Sequence, residues 1–169
     1  MTTTKIEYAA DAALTVTLWT TTLLAGEYAP SGIFANGTTK YVDVLVGGGI
    51  NLNEVTPVAG NTLEIYVLGQ YSDTATDMTG GIDARLVTST ELVANTDFVL
   101  ANLPLLAVVN IEVTTPATQQ IYHWGPVSVA GAFGGTMPKN FMLILRNNTA
   151  APLDALADVN TIGITYTHA

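Results

Sequence analysis

The chain has 169 residues, the size of one domain, and a formal net charge of −9 with 11% charged residues. Its five lysines and arginines form no phosphate-binding cluster, which excludes nucleic acid and anionic membranes as main partners, and no apolar run is long enough to span a bilayer. The absence of cysteine excludes disulfides, thiolate nucleophiles and cysteine-based metal sites.

The beginning of the chain differs from the rest. Residues 1–11 include three consecutive threonines and offer little to bury, which predicts a short N-terminal arm. Residues 12–169 contain no low-complexity linker and are predicted to form a single domain. The first residues also lack the charged start and apolar run of a signal peptide, so we expect synthesis in the cytoplasm.

Alternation of apolar and polar residues with a period of two dominates the domain and predicts β-strands. In chain order the candidates are 14–18, 41–46, 63–67, 82–87, 97–100, 105–113, 121–129, 141–146 and 161–167. The glycine run 47–49 is predicted to end the second of these, and helical patterns are weak and short, at 23–28, 90–95 and 153–159. About seven to nine strands without crossover helices predict an all-β antiparallel sandwich, jelly-roll-like in its connections.

One strand candidate has two apolar faces. The run 141–145 (FMLIL) is apolar at five successive positions, so one face meets the core while Met142 and Ile144 need a second cover. Tyr66 and Leu68 give the same indication on another strand. The cover is either a loop of the same chain or a neighbouring subunit, so these four residues are candidate interface positions.

The residues predict no catalytic centre and no cofactor. No serine lies in a G-x-S-x-G elbow, and His123 and His168 lack a third ligand for zinc. The glycine runs 47–49 and 131–135 lack the Lys-Ser/Thr ending of a phosphate loop and are predicted to serve close backbone approach or positive φ at sheet corners. We therefore expect a non-enzymatic protein.

The acidic loop around residue 80 is the best metal candidate. Asp73, Asp77 and Asp83 supply carboxylate oxygens of the kind that bind calcium, but their spacing does not match an EF-hand. Solvated loop acids are the simpler interpretation.

Several aromatic residues permit a carbohydrate-binding alternative. Trp19, Trp124 and Tyr71 could stack on sugar rings if they form an exposed platform. Side chains of this type more often pack across strands or in the core.

The order of the sequence blocks resembles small β-sheet structural proteins of tailed bacteriophages. The blocks that carry the resemblance are 41–49 (YVDVLVGGG), 62–71 (TLEIYVLGQY), 124–129 (WGPVSV), 132–135 (AFGG), 137–139 (MPK) and an apolar strand ending in 146–149 (RNNT). Together they extend over roughly residues 40 to 166.

The resemblance implies a place in the virion, as a decoration or cement protein on the head exterior. Proteins of this kind bind the major capsid protein and commonly form trimers at capsid symmetry axes. An N-terminal arm often helps them to dock, which here makes Ile6 and Tyr8 the apolar anchors. A place in the tail or baseplate is the alternative within the virion, and a host-attachment role would use a glycan.

Overall fold

The computed structural model describes residues 4–10, 12–13, 23–37, 39–52, 61–71, 103–111, 120–149 and 157–168. Within these ranges there are ten strands and one short helix. The elements are β1 Thr4–Tyr8, β2 Ala12–Ala13, β3 Tyr28–Pro30, β4 Phe34–Ala35, β5 Asp43–Leu52, β6 Thr62–Gln70, β7 Leu105–Asn110, β8 Gln120–Ser128, α1 Val129–Ala132, β9 Asn140–Asn148 and β10 Ala157–His168.

The strands form two antiparallel sheets packed against each other. The first sheet has the order β1-β10-β5-β8, with β2 also on β10, and the second has β3-β9-β6-β7, with β4 also on β9. The chain has eight strand positions when β1 and β2 count as the first, β3 and β4 as the second, and β5 to β10 as the third to the eighth. The two sheet orders are then 1-8-3-6 and 2-7-4-5. This is the connectivity of an eight-position jelly roll. The predicted antiparallel sandwich of jelly-roll type is confirmed.

Most predicted strands that fall on described residues are confirmed, whereas the described parts of two helix candidates, 23–28 and 157–159, are not helical. Residues 23–28 contain a turn and the start of β3, and 157–159 belong to β10. The predicted arm contributes β1, which pairs with β10 along the edge of the first sheet. The candidates at 14–18, 82–87, 90–95 and 97–100 lie outside the described residues.

The core lies between the sheets and follows from the period of two. Val44 and Val46 of β5 face Ile65 and Val67 of β6 across the sandwich, and all four side chains are completely buried. Burying an aliphatic side chain of this size stabilises the fold by about 1.5–3 kcal/mol. Alternate residues of these strands therefore supply most of what holds the two sheets together.

The glycine run in β5 does not end the strand, contrary to the prediction. β5 continues to Leu52 because β8 bulges against it between the pairs Val46–Val127 and Gly48–Trp124. A Cβ on Gly47 would lie 2.9 Å from the carbonyl oxygen of Trp124. The glycines thus allow a close approach of two backbones inside the sheet.

The glycine-rich connector after β8 begins with the helix α1, which the sequence pattern does not predict. The Ser128 side chain caps this helix by accepting a hydrogen bond from the Gly131 amide at 2.7 Å. Gly134 and Gly135 then turn the chain with φ angles of +70° and +91°. The prediction of positive φ at a sheet corner is confirmed for these two residues.

Candidate docking surface

The solvent side of the first sheet carries an apolar surface, which we call the first-sheet outer face. Direct cross-strand pairs place their side chains on the same side of a sheet, and the pairs Ile6–Tyr166 and Tyr8–Ile164 lie on this side. The apolar and small members of the face are Ile6, Tyr8, Ile162, Ile164, Tyr166, Leu45, Gly47, Gly49 and Ile121, and the polar residues in the same rows are His123, Ser128, Asn160, Asp43 and Asp158.

Four large side chains of this face are more than half exposed. The exposed fractions are 58% for Ile6, 66% for Tyr8, 60% for Ile121 and 55% for Tyr166. Four strands over about seven residues span roughly 400 Å², from standard strand spacings. The cluster of Ile6, Tyr8, Ile162, Ile164 and Tyr166 provides the apolar part of that area, and exposed apolar clusters mark interaction sites.

The strand β10 explains why this face is apolar, because its pattern is inverted. Thr161 and Gly163 point into the sandwich and are buried, whereas Ile162, Ile164 and Tyr166 point outward. Thr161 satisfies its hydroxyl by donating to the Ala12 carbonyl at 3.0 Å, and the Tyr41 ring packs over Gly163. The Tyr41 side chain thus fills the core space beside β10, and Ile162 and Ile164 lie on the opposite side of the sheet.

The outer face of the second sheet is covered, in contrast. Tyr28, Leu68, Met142 and Ile144 form a buried cluster, against which Ile33, Tyr66 and Leu103 pack. The side chains of Met142 and Ile144 are 4% and 0% exposed. The prediction that Leu68, Met142 and Ile144 contact a partner is therefore corrected, because the chain itself covers them.

Tyr66 is half-buried and belongs to a polar cluster at the edge of that covered region. Its hydroxyl donates to Glu64 Oε2 at 2.7 Å, and Arg146 forms an ion pair with the same oxygen at 3.2 Å. The Arg146 guanidinium also lies 5.4 Å from the Tyr28 ring centroid. Burial, and then the Glu64 carboxylate, raise the pKa of Tyr66 above its usual range. The arrangement links β6 to β9 through the opposite residues Glu64 and Arg146.

The predicted anchors Ile6 and Tyr8 are both exposed and both on the first-sheet outer face, and their role in docking stays a prediction. Sequence reasoning missed Ile162, Ile164, Tyr166 and Ile121, which complete that face. Their alternation was visible, but period-two patterning assigns such residues to the core. Only the register of β10 shows that they point away from it.

The aromatic platform for sugars is mostly absent from the described residues. Trp124 is 7% exposed and packs in the core, so it cannot stack on a ligand at the surface. Tyr71 is 52% exposed, with its ring edge-on to Phe133 at 6.4 Å between centroids. Trp19 lies outside the described residues.

Metal-binding side chains do not cluster in the part of the chain that the structure describes. No group of three or more metal-binding side chains occurs there, and Asp73, Asp77 and Asp83 lie outside it. His123 stands exposed on the first-sheet outer face, apart from the inward Tyr122 and Trp124. The described helix is too short to cross a membrane.

A shallow cleft of about 400 Å³ opens beside β4 and β9. It is lined by Asn36, Gly37, Lys40, Met137, Lys139 and Asn140. The Asn36 side chain is occupied, because it bonds both the amide and the carbonyl of Tyr41, at 2.7 and 2.9 Å. Its charged lining residues are the two lysines, Lys40 and Lys139, and the lining residues include no carboxylate, histidine or hydroxyl side chain.

Comparison with known proteins adds no family to this description. A scan of protein-family models finds no match, and a search of curated proteins finds no relative. The first-sheet outer face therefore remains the candidate functional site on the grounds of its own geometry.

Proposed function

We propose that this protein is a non-enzymatic structural protein of a bacteriophage virion, of the decoration or cement kind. It binds the exterior of the head through the first-sheet outer face and bridges subunits of the major capsid protein. The observation that carries the proposal is the inverted pattern of β10, which directs Ile162, Ile164 and Tyr166 away from the core.

The energetics of that face favour a covered state. An exposed aliphatic or aromatic side chain gains about 1.5–3 kcal/mol when it is fully buried. Three such side chains, Ile6, Tyr8 and Tyr166, stand together at the β1 edge of the face, and Ile121 lies at its far edge. One contact of roughly 400 Å² per subunit is smaller than the roughly 800 Å² of a standard interface. Multiple copies on one shell would raise the total strength through multivalency.

Fold and resemblance support different parts of the proposal. Jelly rolls occur in capsid proteins and in lectins, so the fold is compatible with the virion without deciding for it. The order of the sequence blocks from residue 41 to 149 is what favours a tailed-phage structural role.

The test is binding of the purified protein to heads that lack it. We expect saturable binding, and heads with greater resistance to heat and osmotic shock once the protein is bound. Mass spectrometry of separated heads and tails should find the protein with the heads. Its recovery from tails alone would replace the head assignment by a tail or baseplate one, and absence from both would refute the virion role.

Glycan binding is a second candidate, because Tyr71 is an exposed aromatic side chain held in place by Phe133. A host-attachment module would use it as a stacking surface. A glycan array probed with the protein and with Tyr71→Ala decides the matter: signals that vanish in the variant support this role, and an array without signals excludes it.

A further inference from the structure

The strand β1 ends the first sheet with an edge that no other described strand pairs with. β1 pairs with β10 on one side, from Thr4–His168 to Tyr8–Ile164. Its residues 5–8 are all exposed. An exposed edge of this kind presents backbone donors and acceptors to another strand.

The ladder with β10 determines which backbone groups point to that edge. The Ala9 amide donates to the Gly163 carbonyl at 2.8 Å, so these opposite residues form a hydrogen-bonded pair. Hydrogen-bonded and non-hydrogen-bonded pairs alternate along an antiparallel ladder. Lys5 and Glu7 therefore bond toward β10, whereas the N–H and C=O groups of Thr4, Ile6 and Tyr8 point outward.

This geometry limits how a second β1 can pair antiparallel with the first. A residue whose backbone N–H and C=O point to the free edge must lie opposite a residue of the same kind in the second copy. The two-fold axis therefore passes through Lys5, Ile6 or Glu7. An axis through Lys5 places two lysines opposite each other, and one through Glu7 places two glutamates opposite each other. An axis through Ile6 places each Lys5 opposite the partner's Glu7, which gives two attractive cross-strand pairs.

The same register extends the first-sheet outer face across the axis. Ile6 then contacts the partner's Ile6, and each Tyr8 lies opposite the partner's Thr4. Ile6 and Tyr8 already continue the apolar row of Tyr166 and Ile164. The charged residues stay together on the opposite side of the strand.

We infer that the protein forms a two-fold dimer in which β1 pairs antiparallel with β1 of a second copy, centred on Ile6. The two first sheets join into one continuous sheet with one continuous apolar outer face. Such a contact is isologous, because the same strand serves both subunits. It differs from the threefold assembly that the resemblance implies, and it does not depend on the virion role.

Charge reversal tests the register. In sedimentation equilibrium we expect the native chain to be a dimer. Lys5→Glu and Glu7→Lys should each raise the dimer dissociation constant about tenfold or more, because each turns two attractive cross-strand pairs into repulsive ones. The double variant K5E/E7K, and an equimolar mixture of the two single variants, should both recover the native mass. Lys40→Glu makes the same charge change at another exposed residue and should leave the mass unaltered.

A single introduced cysteine tests the position of the axis, because the chain has none of its own. Opposite residues of a hydrogen-bonded pair have Cα atoms about 5.5 Å apart, which suits a disulfide. Ile6→Cys should therefore give a covalent dimer under mild oxidation. Ile121→Cys, equally exposed at the far edge of the same sheet, is the matched control and should stay monomeric under denaturing electrophoresis.

Three results would overturn the inference. The first is a native mass that corresponds to a monomer or a trimer. The second is faster cross-linking of Lys5→Cys or Ile121→Cys than of Ile6→Cys. The third is a K5E/E7K double variant that dimerises as weakly as the single variants. These measurements use the isolated protein, so failure of the dimer and failure of head binding are separate results. An unaltered circular dichroism spectrum and melting temperature of each variant show that a lower mass reflects dissociation of the dimer and not unfolding.

Discussion

Ile6 lies directly opposite Tyr166 in the β1–β10 ladder, and both side chains are more than half exposed. A cross-strand pair of this kind normally stabilises a sheet by packing, but here it stands on the outside. Its apolar area is available to a partner, which makes the pair a direct probe of the docking surface.

We expect Tyr166→Ser to weaken binding to undecorated heads while changing the free energy of unfolding by no more than about 0.5 kcal/mol. Head co-sedimentation and denaturant unfolding measure the two quantities. Val108→Ser removes an exposed apolar side chain from the second sheet, where Val108 is 46% exposed, and should leave binding intact. Equal losses for both variants would contradict a role of the first-sheet outer face.

The bulge between β5 and β8 predicts a large effect at one glycine. Gly125 has φ +76°, and a Cβ there would lie 2.5 Å from the Val46 carbonyl oxygen. Gly134 has a similar φ of +70°, but a Cβ there meets nothing within 4 Å. The two positions separate steric collision from backbone preference.

Gly125→Ala should lower the free energy of unfolding by about 3 kcal/mol or more, because the backbone must shift as well as adopt an unfavourable φ. Gly134→Ala should lower it by about 1 kcal/mol, from the left-handed conformation alone. Urea unfolding of the two variants beside the native chain gives both values. A loss at Gly134 as large as that at Gly125 would mean that the β5–β8 approach is not the cause.

The fold class follows from the sequence because it depends on the period of two, which the strand β6 displays clearly. Leu63, Ile65 and Val67 alternate with residues that stay only half-buried, as the pattern predicts. The turn glycines 134 and 135 were likewise predictable, since positive φ is their ordinary use. Local rules suffice wherever a segment obeys its own pattern.

The outer face could not be predicted because it depends on contacts between distant segments. Nothing local to β10 tells that Tyr41 fills the space beside Gly163 and so frees the isoleucines for the other side. The continuation of β5 through its glycines likewise depends on the bulge of β8. The two apolar faces of β9 left loop cover and subunit cover open, and only the burial of Ile144 decides between them.

Asn147 predicts a further large effect, because its side chain is buried and fully engaged. Its Nδ2 donates to the Leu23 carbonyl at 2.9 Å, and its Oδ1 accepts from the amide and hydroxyl of Thr149 at 3.0 and 2.7 Å. The motif 147–149 matches a glycosylation site, but this burial keeps its asparagine from solvent in the folded chain.

Asn147→Ala should lower the free energy of unfolding by about 2–3 kcal/mol, since it leaves buried partners without hydrogen bonds. The neighbouring Asn148 is exposed, and Asn148→Ala should lower it by less than about 1 kcal/mol. Thermal and denaturant unfolding compare the two variants. Similar losses at both positions would show that the Asn147 network does not hold the segment.

Tyr66 predicts how stability responds to alkaline pH. Burial and the Glu64 carboxylate raise the pKa of its hydroxyl in the folded chain. A group whose pKa is raised on folding stabilises the protein fully below its unfolded pKa, about 10 for tyrosine, and loses that contribution as pH rises through the folded value. The native chain should therefore lose stability above about pH 10, partly through Tyr66.

Tyr66→Phe should remove that part of the alkaline loss, while costing about 1 kcal/mol at neutral pH through the lost hydrogen bond to Glu64. Unfolding free energies measured from about pH 8 to 11 give both effects in one series. Tyr166→Phe removes the hydroxyl of an exposed tyrosine and is the matched control. If the slope of Tyr66→Phe equals that of the native chain, the Glu64–Tyr66 contact does not govern the alkaline response.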